Sequence, residues 1–297
     1  MTMNTAALAN RFRIAGALEF IETKDGLVKA VISRGGAAGE LFLQGAQVTA
    51  WQPTGAQPVI FLSPRANLAP GKAIRGGIPV IFPWFGPHPN DPKAPQHGLA
   101  RTAAWRLDRT EETADGVALE ASLAVGGFAL TYRAVFGDML WLYLTARNIS
   151  AQTAAFEEAL HSYFAVSDVE GISISGLETN GFIDKTADMR LCRAAGAPLR
   201  LTKETDRVYL DVPGRLAITD PGWNRRIVIE KSGAASTIVW SPWPEKAATM
   251  SDLGADNWRG FVCVETGNVS DNRIELAPGA THEMTTRVRL DAQSSLG

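Results

Sequence analysis

The most regular feature of the chain is a series of short apolar stretches, rich in β-branched and aromatic residues, with glycine, aspartate or proline close to their ends. This pattern predicts β-strands separated by turns. In the first half of the chain the predicted strands cover residues 18–22, 27–33, 40–43, 47–52, 104–107, 117–123, 128–136 and 140–148. In the second half they cover residues 156–165, 172–174, 208–210, 215–219, 226–230, 236–240, 260–265 and 282–290.

The spacing of these strands predicts the fold class. Strands that follow one another at roughly ten-residue intervals, with turn signals between them, are typical of antiparallel sandwiches and barrels. Long helical periodicity is absent, and only residues 244–250 favour a short helical turn. We therefore predict an all-β fold, a large antiparallel β-sandwich. Because no linker or low-complexity segment divides the chain, residues 15–297 are expected to form one domain after a flexible N-terminal segment, residues 1–14.

Composition and charge narrow the possible partners. Of the 297 residues, 45% are hydrophobic and 20% are charged, as in an ordinary globular protein. A formal net charge of -2 argues against a nucleic-acid partner, which would need a concentrated basic surface. No stretch approaches the apolar run that crosses a bilayer, so no membrane partner is expected. Cys192 and Cys263 are too few for a disulfide framework, so reduced thiols and a cytoplasmic location are the simplest interpretation.

Residues 72–101 combine basic side chains with a rigid, aromatic-rich segment. Arg75 precedes Gly76 and Gly77, prolines interrupt the apolar run that follows, and a second basic group comes at His97 and Arg101. Paired glycines let the backbone approach a ligand closely or adopt positive φ, while the prolines exclude a central helix. The segment has two interpretations: the wall of a polar pocket with an anionic end, or a connection between sheets whose arginines face water.

His161 is the first candidate for acid/base chemistry. In the predicted strand 156–165, alternation places Glu157, His161 and Tyr163 on one face. A polar face inside a sandwich is costly unless it lines a wet cavity or its groups are paired. His161 therefore belongs to a site or lies on a solvent-exposed face. Of the other histidines, His88 lies in a predicted surface loop, and His282 is expected to be a solvated strand residue.

Glu265 is the second candidate. It ends the strongly apolar strand 260–265, where alternation places it on the same face as Phe261 and Cys263. A carboxylate partly buried at the mouth of a sheet would have a raised pKa, in the range useful for a general base. The alternative is a charge at the end of a strand that reaches water.

Cofactor and metal signatures are missing from the sequence. It contains no His-x-His, no Cys-x-x-Cys and no carboxylate-rich loop of the calcium type. A Gly-x-Ser-x-Gly elbow, a P-loop and a dinucleotide fingerprint are also absent. We therefore expect no metal and no cofactor, and acid/base chemistry by histidine and glutamate is the leading enzyme class.

Six runs of sequence carry a resemblance to a known family. They are IRGGIPVIFPWFG (residues 74–86), QHGLAR (96–101), EALHSYF (158–164), TDRVY (205–209), VWSPW (239–243) and CVE (263–265). These runs cover nearly the whole chain in the family's order, and the chain resembles the aldose 1-epimerase superfamily. Its nearest match is the hexose-6-phosphate mutarotase (glucose-6-phosphate 1-epimerase) branch, for which RGGIP is specific. Leu99 and Ser241 depart from the residues most common in the family, Phe and Asn, but neither is a proposed catalytic position.

The resemblance implies a fold, a site and a reaction. The fold would be the galactose mutarotase-like supersandwich, with the site in a groove on one sheet. His161 would be the general acid and Glu265 the general base for interconversion of sugar anomers. The positions that match substrate-binding residues of the family are Arg75, Gln96, His97, Arg101 and Asp206, with the arginines at the phosphate end of a hexose 6-phosphate. A monomer is expected.

Two other functions remain open from the sequence. The first is a non-catalytic carbohydrate-binding or sensor protein on the same fold, which would have no need for both His161 and Glu265. The second is an epimerase for unphosphorylated aldoses, which is distinguished by whether Arg75 and Arg101 face the pocket.

Overall fold

The computed structural model describes residues 4–33, 36–212 and 214–292. Its α-helices are α1 (Thr5–Phe12) and α2 (Trp243–Ala248). Its strands are β1 (Leu18–Glu22), β2 (Val28–Ile32), β3 (Ala37–Phe42), β4 (Gln47–Pro53), β5 (Val80–Ile81), β6 (Arg106–Thr113), β7 (Gly116–Val125), β8 (Phe128–Phe136), β9 (Leu140–Asn148), β10 (Ala154–Phe156), β11 (Glu158–Leu160), β12 (Tyr163–Ala165), β13 (Ser173–Ser175), β14 (Gly181–Asp184), β15 (Arg190–Arg193), β16 (Thr205–Tyr209), β17 (Arg215–Asp220), β18 (Arg225–Ser232), β19 (Ser236–Ser241), β20 (Phe261–Asn268), β21 (Ile274–Leu276) and β22 (Thr281–Ala292). Short 3₁₀ helices cover Ala100–Thr102, Lys185–Ala187, Pro221–Trp223, Asn257–Gly260 and Ser270–Asn272.

Two antiparallel sheets of eight strands form the body of the fold. The first has the order β15-β14-β16-β19-β20-β11-β5, with β12 also paired to β20, and we call it the site sheet. The second has the order β13-β17-β18-β22-β9-β8-β7-β6. A buried apolar cluster contains side chains of both sheets, for example Leu142 of β9 and Val262 of β20. The predicted all-β antiparallel sandwich is confirmed.

The predicted strand bounds are most accurate where apolar alternation is uninterrupted. Strands β1, β8 and β9 begin and end at the predicted residues. Strand β6 continues through polar residues to Thr113, beyond the predicted end at residue 107, and β14 and β15 were not predicted. Strands β6 and β15 lie at sheet edges. An edge strand is partly solvated, so it lacks the apolar pattern that reveals a buried strand.

The N-terminal segment differs from the flexible one expected from the sequence. Residues 5–12 form helix α1, which Asn4 caps by accepting a hydrogen bond from the backbone N–H of Ala7 at 2.8 Å. Leu8 and Phe12 are buried in the main apolar cluster. The helix was not predicted because it is short and carries only two core residues. Residues 1–3 and 293–297 of the predicted segment and domain lie outside the described ranges.

His282 is paired with a buried carboxylate instead of being solvated. Its Nε2 lies 3.0 Å from Oε1 of Glu158, a fully buried residue of β11. The side chain of Asn268 donates to the same oxygen at 2.9 Å. The hydrogen bond to Glu158 raises the pKa of His282, because it favours the protonated imidazole.

This pair should make stability depend on pH. An unfolded histidine titrates near ~6.5, so the contribution is complete below that pH and is lost as pH rises through the higher folded pKa. His282→Gln should therefore lower the free energy of unfolding by ~1–2 kcal/mol near pH 6, and by less at higher pH. Denaturant unfolding of both proteins at several pH values measures the difference. A loss that is equal at every pH would contradict the raised pKa.

Candidate active site

One pocket gathers most of the residues that the sequence singled out. Its volume is about 380 Å³. Its lining includes six of the seven predicted site residues, namely Arg75, Gln96, His97, His161, Asp206 and Glu265. Among the described residues it also contains aromatic and basic side chains that were not predicted for the site, namely Phe85, Tyr163, Lys185, Trp240 and Lys246.

Cross-strand pairing in the site sheet builds the floor of this pocket. Asp206 of β16 is the partner of Trp240 of β19. Trp240 is also the partner of Cys263 of β20, which in turn pairs with Tyr163 of β12. Directly paired residues on adjacent strands share a face of the sheet. Glu265 follows Cys263 by two residues and so continues the same face, as alternation predicted.

Glu265 is a buried carboxyl group at the floor of the pocket. Its side chain is 1% exposed, and within the described part of the chain its Oε2 has no hydrogen-bond partner. Burial raises its pKa well above the usual value, and the negative charge of Asp206 raises it further. Lys185 acts in the opposite direction. A carboxylate with a raised pKa is a stronger proton acceptor than an ordinary glutamate.

His161 lies where the predicted strand 156–165 is interrupted. This stretch is divided into β10, β11 and β12, and His161 falls between β11 and β12. Its backbone N–H donates to the carbonyl of Pro79, and its ring Nδ1 lies 3.4 Å from Oε1 of Glu265. Burial lowers the pKa of His161, and the nearby His97 and the arginines lower it further. The solvent-exposed interpretation of His161 is therefore wrong.

His97 is held in a strained backbone conformation beside His161. Its φ is 64°, a region that residues with a side chain seldom occupy, and the two imidazole centroids are 5.7 Å apart. The backbone N–H of Gly86 donates to Nδ1 of His97 at 3.2 Å, which leaves Nε2 to carry the proton of the neutral ring. Burial lowers the pKa of His97 to about 3. His97 is therefore a neutral hydrogen-bond donor.

Arg75 brings a positive charge to the pocket and is held from two sides. Its Nε and Nη2 lie 3.2 and 3.1 Å from one carboxylate oxygen of Asp252. Its Nη1 donates to the hydroxyl of Tyr163 at 3.0 Å.

The paired glycines after Arg75 both have positive φ, one of the two roles predicted for them. A Cβ on Gly76 would lie 2.6 Å from the carbonyl oxygen of Phe61. A Cβ on Gly77 would lie 2.4 Å from the carbonyl oxygen of Val48.

Gln96 and Arg101 differ in their relation to the pocket. Gln96 is part of the lining, whereas Arg101 is not. Arg101 donates to the backbone carbonyl of Gln96 at 2.7 Å. Its charge nevertheless acts on His97 and His161, whose pKa values it lowers. Arg101 thus lies outside the pocket lining and is hydrogen-bonded to the segment that carries Gln96, whereas Arg75 is part of the lining.

Asp206 is paired with a lysine that the sequence did not indicate. The Nζ of Lys185 lies 3.2 Å from Oδ2 of Asp206 and 5.3 Å from the ring centroid of Phe85. Lys185 opens the 3₁₀ helix after β14, a segment in which no strand was predicted. Trp240 ends the predicted strand 236–240, in which alternation places it on the same face as Ile238. Both residues line the pocket, so this alternation could have indicated Trp240 as a site residue.

Two further observations concern metals and membranes. Within residues 4–33, 36–212 and 214–292, no group of three or more His, Cys, Asp or Glu side chains is arranged to hold a metal ion. No helix in the described part of the chain is both long enough and apolar enough to cross a membrane.

The antiparallel supersandwich and the pocket on its site sheet define a galactose mutarotase-like protein. Comparison with protein families matches residues 29–289 to the family described as aldose 1-epimerase. The chain belongs to this family. A relative from Cenchrus ciliaris, named as a candidate glucose-6-phosphate 1-epimerase, is 33% identical and covers 93% of this chain and 88% of its own. A relative from Escherichia coli K12 with the same name is 35% identical over 78% of this chain and 80% of its own.

Solved structures give the same result for the fold. A candidate mutarotase from Salmonella typhimurium, YeaD, superimposes with a TM-score of 0.88 at 28% identity, over 95% of this chain and 96% of its own. Galactose 1-epimerase from Lactobacillus acidophilus shares the fold at 14% identity, with a TM-score of 0.73, over 93% of this chain and 99% of its own.

Proposed function

We propose that this protein interconverts the α and β anomers of hexose 6-phosphates, the glucose-6-phosphate 1-epimerase reaction. The observation that carries the proposal is the pocket in which His161 and Glu265 lie 3.4 Å apart with Arg75 in the same lining. The names of the relatives agree with it. A binding protein would have no need for a buried acid and base, and an epimerase for free sugars would have no need for a positive charge in the pocket.

In the proposed mechanism, Glu265 and His161 exchange two protons with the sugar. Glu265 removes the proton of the C1 hydroxyl while His161 protonates the ring oxygen, so the bond between C1 and the ring oxygen breaks and an open-chain aldehyde forms. After rotation about the C1–C2 bond, the C5 hydroxyl attacks the other carbonyl face and returns its proton to His161. The carbonyl oxygen takes the proton from Glu265. Both residues then have their starting charges.

At 3.4 Å, His161 and Glu265 lie close enough to share one proton. Burial favours the neutral pair, glutamic acid with imidazole, over carboxylate with imidazolium. Both forms contain one proton, so the ratio between the neutral pair and the reactive carboxylate–imidazolium form does not change with pH while the pair is singly protonated. A phosphate dianion bound at Arg75 would offset a positive charge that lowers the pKa of His161. Substrate binding would thereby favour the protonated acid.

The remaining predicted residues would bind the sugar phosphate. Asp206 accepts hydrogen bonds and would hold sugar hydroxyls, while Gln96 and the Nε2–H of His97 would donate to the sugar. Arg75 would bind the phosphate, a charged group remote from C1 that supplies binding energy for positioning. Arg101 would act mainly through the Gln96 loop and through its charge. All these residues belong to one chain, so we propose that the monomer is active.

Anomer-exchange NMR tests the proposal. The rate of exchange between the C1 protons of the two anomers is measured with glucose 6-phosphate, galactose 6-phosphate and free glucose, with and without the protein. We expect acceleration of the phosphorylated sugars above the buffer rate. Acceleration of free glucose alone would indicate an epimerase for unphosphorylated aldoses. Binding of a sugar without acceleration would indicate a carbohydrate-binding protein. The cytoplasmic location stays a prediction from the two unpaired cysteines.

Metal removal should have no effect on this activity. Every acid/base role in the mechanism is filled by a side chain, so exchange should survive exhaustive dialysis against EDTA, and added Zn²⁺ should not stimulate it. Mg²⁺ that pairs with the substrate phosphate would compete with Arg75 and inhibit weakly. A loss of exchange on chelation that a stoichiometric metal restores would contradict the mechanism and would direct attention to Asp206 and Glu265 as ligands.

A further inference from the structure

The side chain of Tyr163 contacts both ends of the proposed site. Its hydroxyl accepts a hydrogen bond from Nη1 of Arg75 at 3.0 Å. Its ring stacks on the imidazole of His161, with the centroids 4.8 Å apart and the planes inclined by 10°. Tyr163 is 2% exposed and forms part of the pocket lining. A single buried residue therefore links the positively charged end of the pocket to the proposed general acid.

The hydroxyl of Tyr163 has a hydrogen that is free to be donated. A phenol that accepts one hydrogen bond can still donate its own O–H. In the described ranges, the only hydrogen bond of this hydroxyl is the one that it accepts from Arg75, and its own hydrogen has no acceptor. Burial raises the pKa of Tyr163, so the group stays protonated near neutral pH. Accepting from a charged guanidinium polarises the O–H and strengthens its donation.

The hydrogen-bond partners of Arg75 leave the pocket side of its guanidinium group available to an anion. Asp252 occupies the Nε and Nη2 edge of the guanidinium, and the Tyr163 hydroxyl lies at Nη1. An anion that approaches Arg75 from the pocket therefore meets the Tyr163 hydroxyl as well. Each phosphate oxygen accepts more than one hydrogen bond, so one phosphate group can accept from both.

We propose that Tyr163 is a specificity-determining residue whose hydroxyl donates a hydrogen bond to the phosphate of the substrate, next to Arg75. This inference rests on the proposed hexose 6-phosphate substrate and assigns a donor that neither the sequence nor the family resemblance indicated. Because the same ring stacks on His161, Tyr163 also holds the phosphate site at a constant distance from the acid. The residue thus relates the position of the phosphate to the position of C1 and the ring oxygen.

Tyr163→Phe tests the inference because it removes the hydroxyl and keeps the ring. We expect KM for glucose 6-phosphate to rise about tenfold, since a hydrogen bond to a charged group contributes roughly 1.5–3 kcal/mol. The value of kcat should change less than about twofold, because the ring that packs on His161 is retained. The dissociation constant of inorganic phosphate, measured by calorimetry, should rise by a similar factor and does not depend on turnover.

The chain offers a matched control outside the pocket. Tyr209 of β16 also accepts a hydrogen bond from an arginine, Arg207, at 3.4 Å, and Arg207 also faces a carboxylate, Asp184, at 3.9 Å. Neither Tyr209 nor Arg207 belongs to the pocket lining. Tyr209→Phe should therefore leave both KM and phosphate binding unchanged.

A double substitution separates donation to phosphate from support of Arg75. If Tyr163 only orients Arg75, Tyr163→Phe has no further effect on phosphate binding in an Arg75→Ala background; a further loss supports direct donation. Unchanged phosphate binding in Tyr163→Phe, or an equal loss with free glucose, would overturn the inference. Failure of the wild type to accelerate exchange while it binds phosphate would overturn the proposed function only, and the calorimetric comparison would still decide the role of Tyr163.

Discussion

His161→Asn and Glu265→Gln should each slow anomer exchange of glucose 6-phosphate by ~10²-fold or more, because each removes one of the two proton transfers. Binding of the sugar phosphate should largely survive, because both replacements are close in shape to the original side chain and leave Arg75 in place. The measurement is anomer-exchange NMR combined with calorimetric binding. Near-normal exchange in either variant would remove that residue from the mechanism.

A second histidine–glutamate pair, in which the glutamate is buried and the histidine is partly buried, provides the control for this prediction. His282 and Glu158 lie 3.0 Å apart and outside the pocket lining. His282→Asn and Glu158→Gln should reduce stability without changing the exchange rate of the folded protein. If they slow exchange as much as the substitutions at His161 and Glu265, the loss reflects the fold and not the chemistry.

Arg75→Ala should raise KM for hexose 6-phosphates by about tenfold or more, because a charge-assisted contact to an anion contributes roughly 1.5–3 kcal/mol. Exchange of free glucose, where measurable, should lose much less. Arg75→Lys should recover only part of the affinity, since an ammonium group lacks the planar fork that meets a phosphate with two parallel hydrogen bonds. We expect Arg101→Ala to have a smaller effect than Arg75→Ala, because Arg101 is not part of the pocket lining and donates to the backbone carbonyl of Gln96.

The matched control for Arg75 is Arg207→Ala. Arg207 has the same kinds of partner, a tyrosine hydroxyl and a carboxylate, but lies outside the pocket lining. Its substitution should leave KM unchanged. Equal losses on phosphorylated and free sugars in Arg75→Ala would mean that Arg75 supports the fold or the sugar ring, and the phosphate selectivity would need another source.

Local sequence pattern was sufficient for the fold class and for the orientation of Glu265. Alternation with period two is a property of neighbouring residues, so it places Glu265 on the face of Cys263 before any tertiary contact is known. The paired glycines before the apolar run were likewise interpretable, because their positive φ is a requirement of the local backbone. Edge strands such as β6 and β15 were poorly predicted, because solvated strands lack this pattern.

The contacts that make the site depend on pairing between distant parts of the chain. Arg75 meets Tyr163 across 88 residues and Asp252 across 177. Lys185 reaches Asp206 because β14 pairs with β16, and no local signal in the Lys185 segment indicates that pairing. The sequence by itself therefore determined the sandwich and the residue types that could do the chemistry. Only the tertiary structure decided which of them meet, because strand order and loop packing are set by burial over the whole core and not by neighbouring residues.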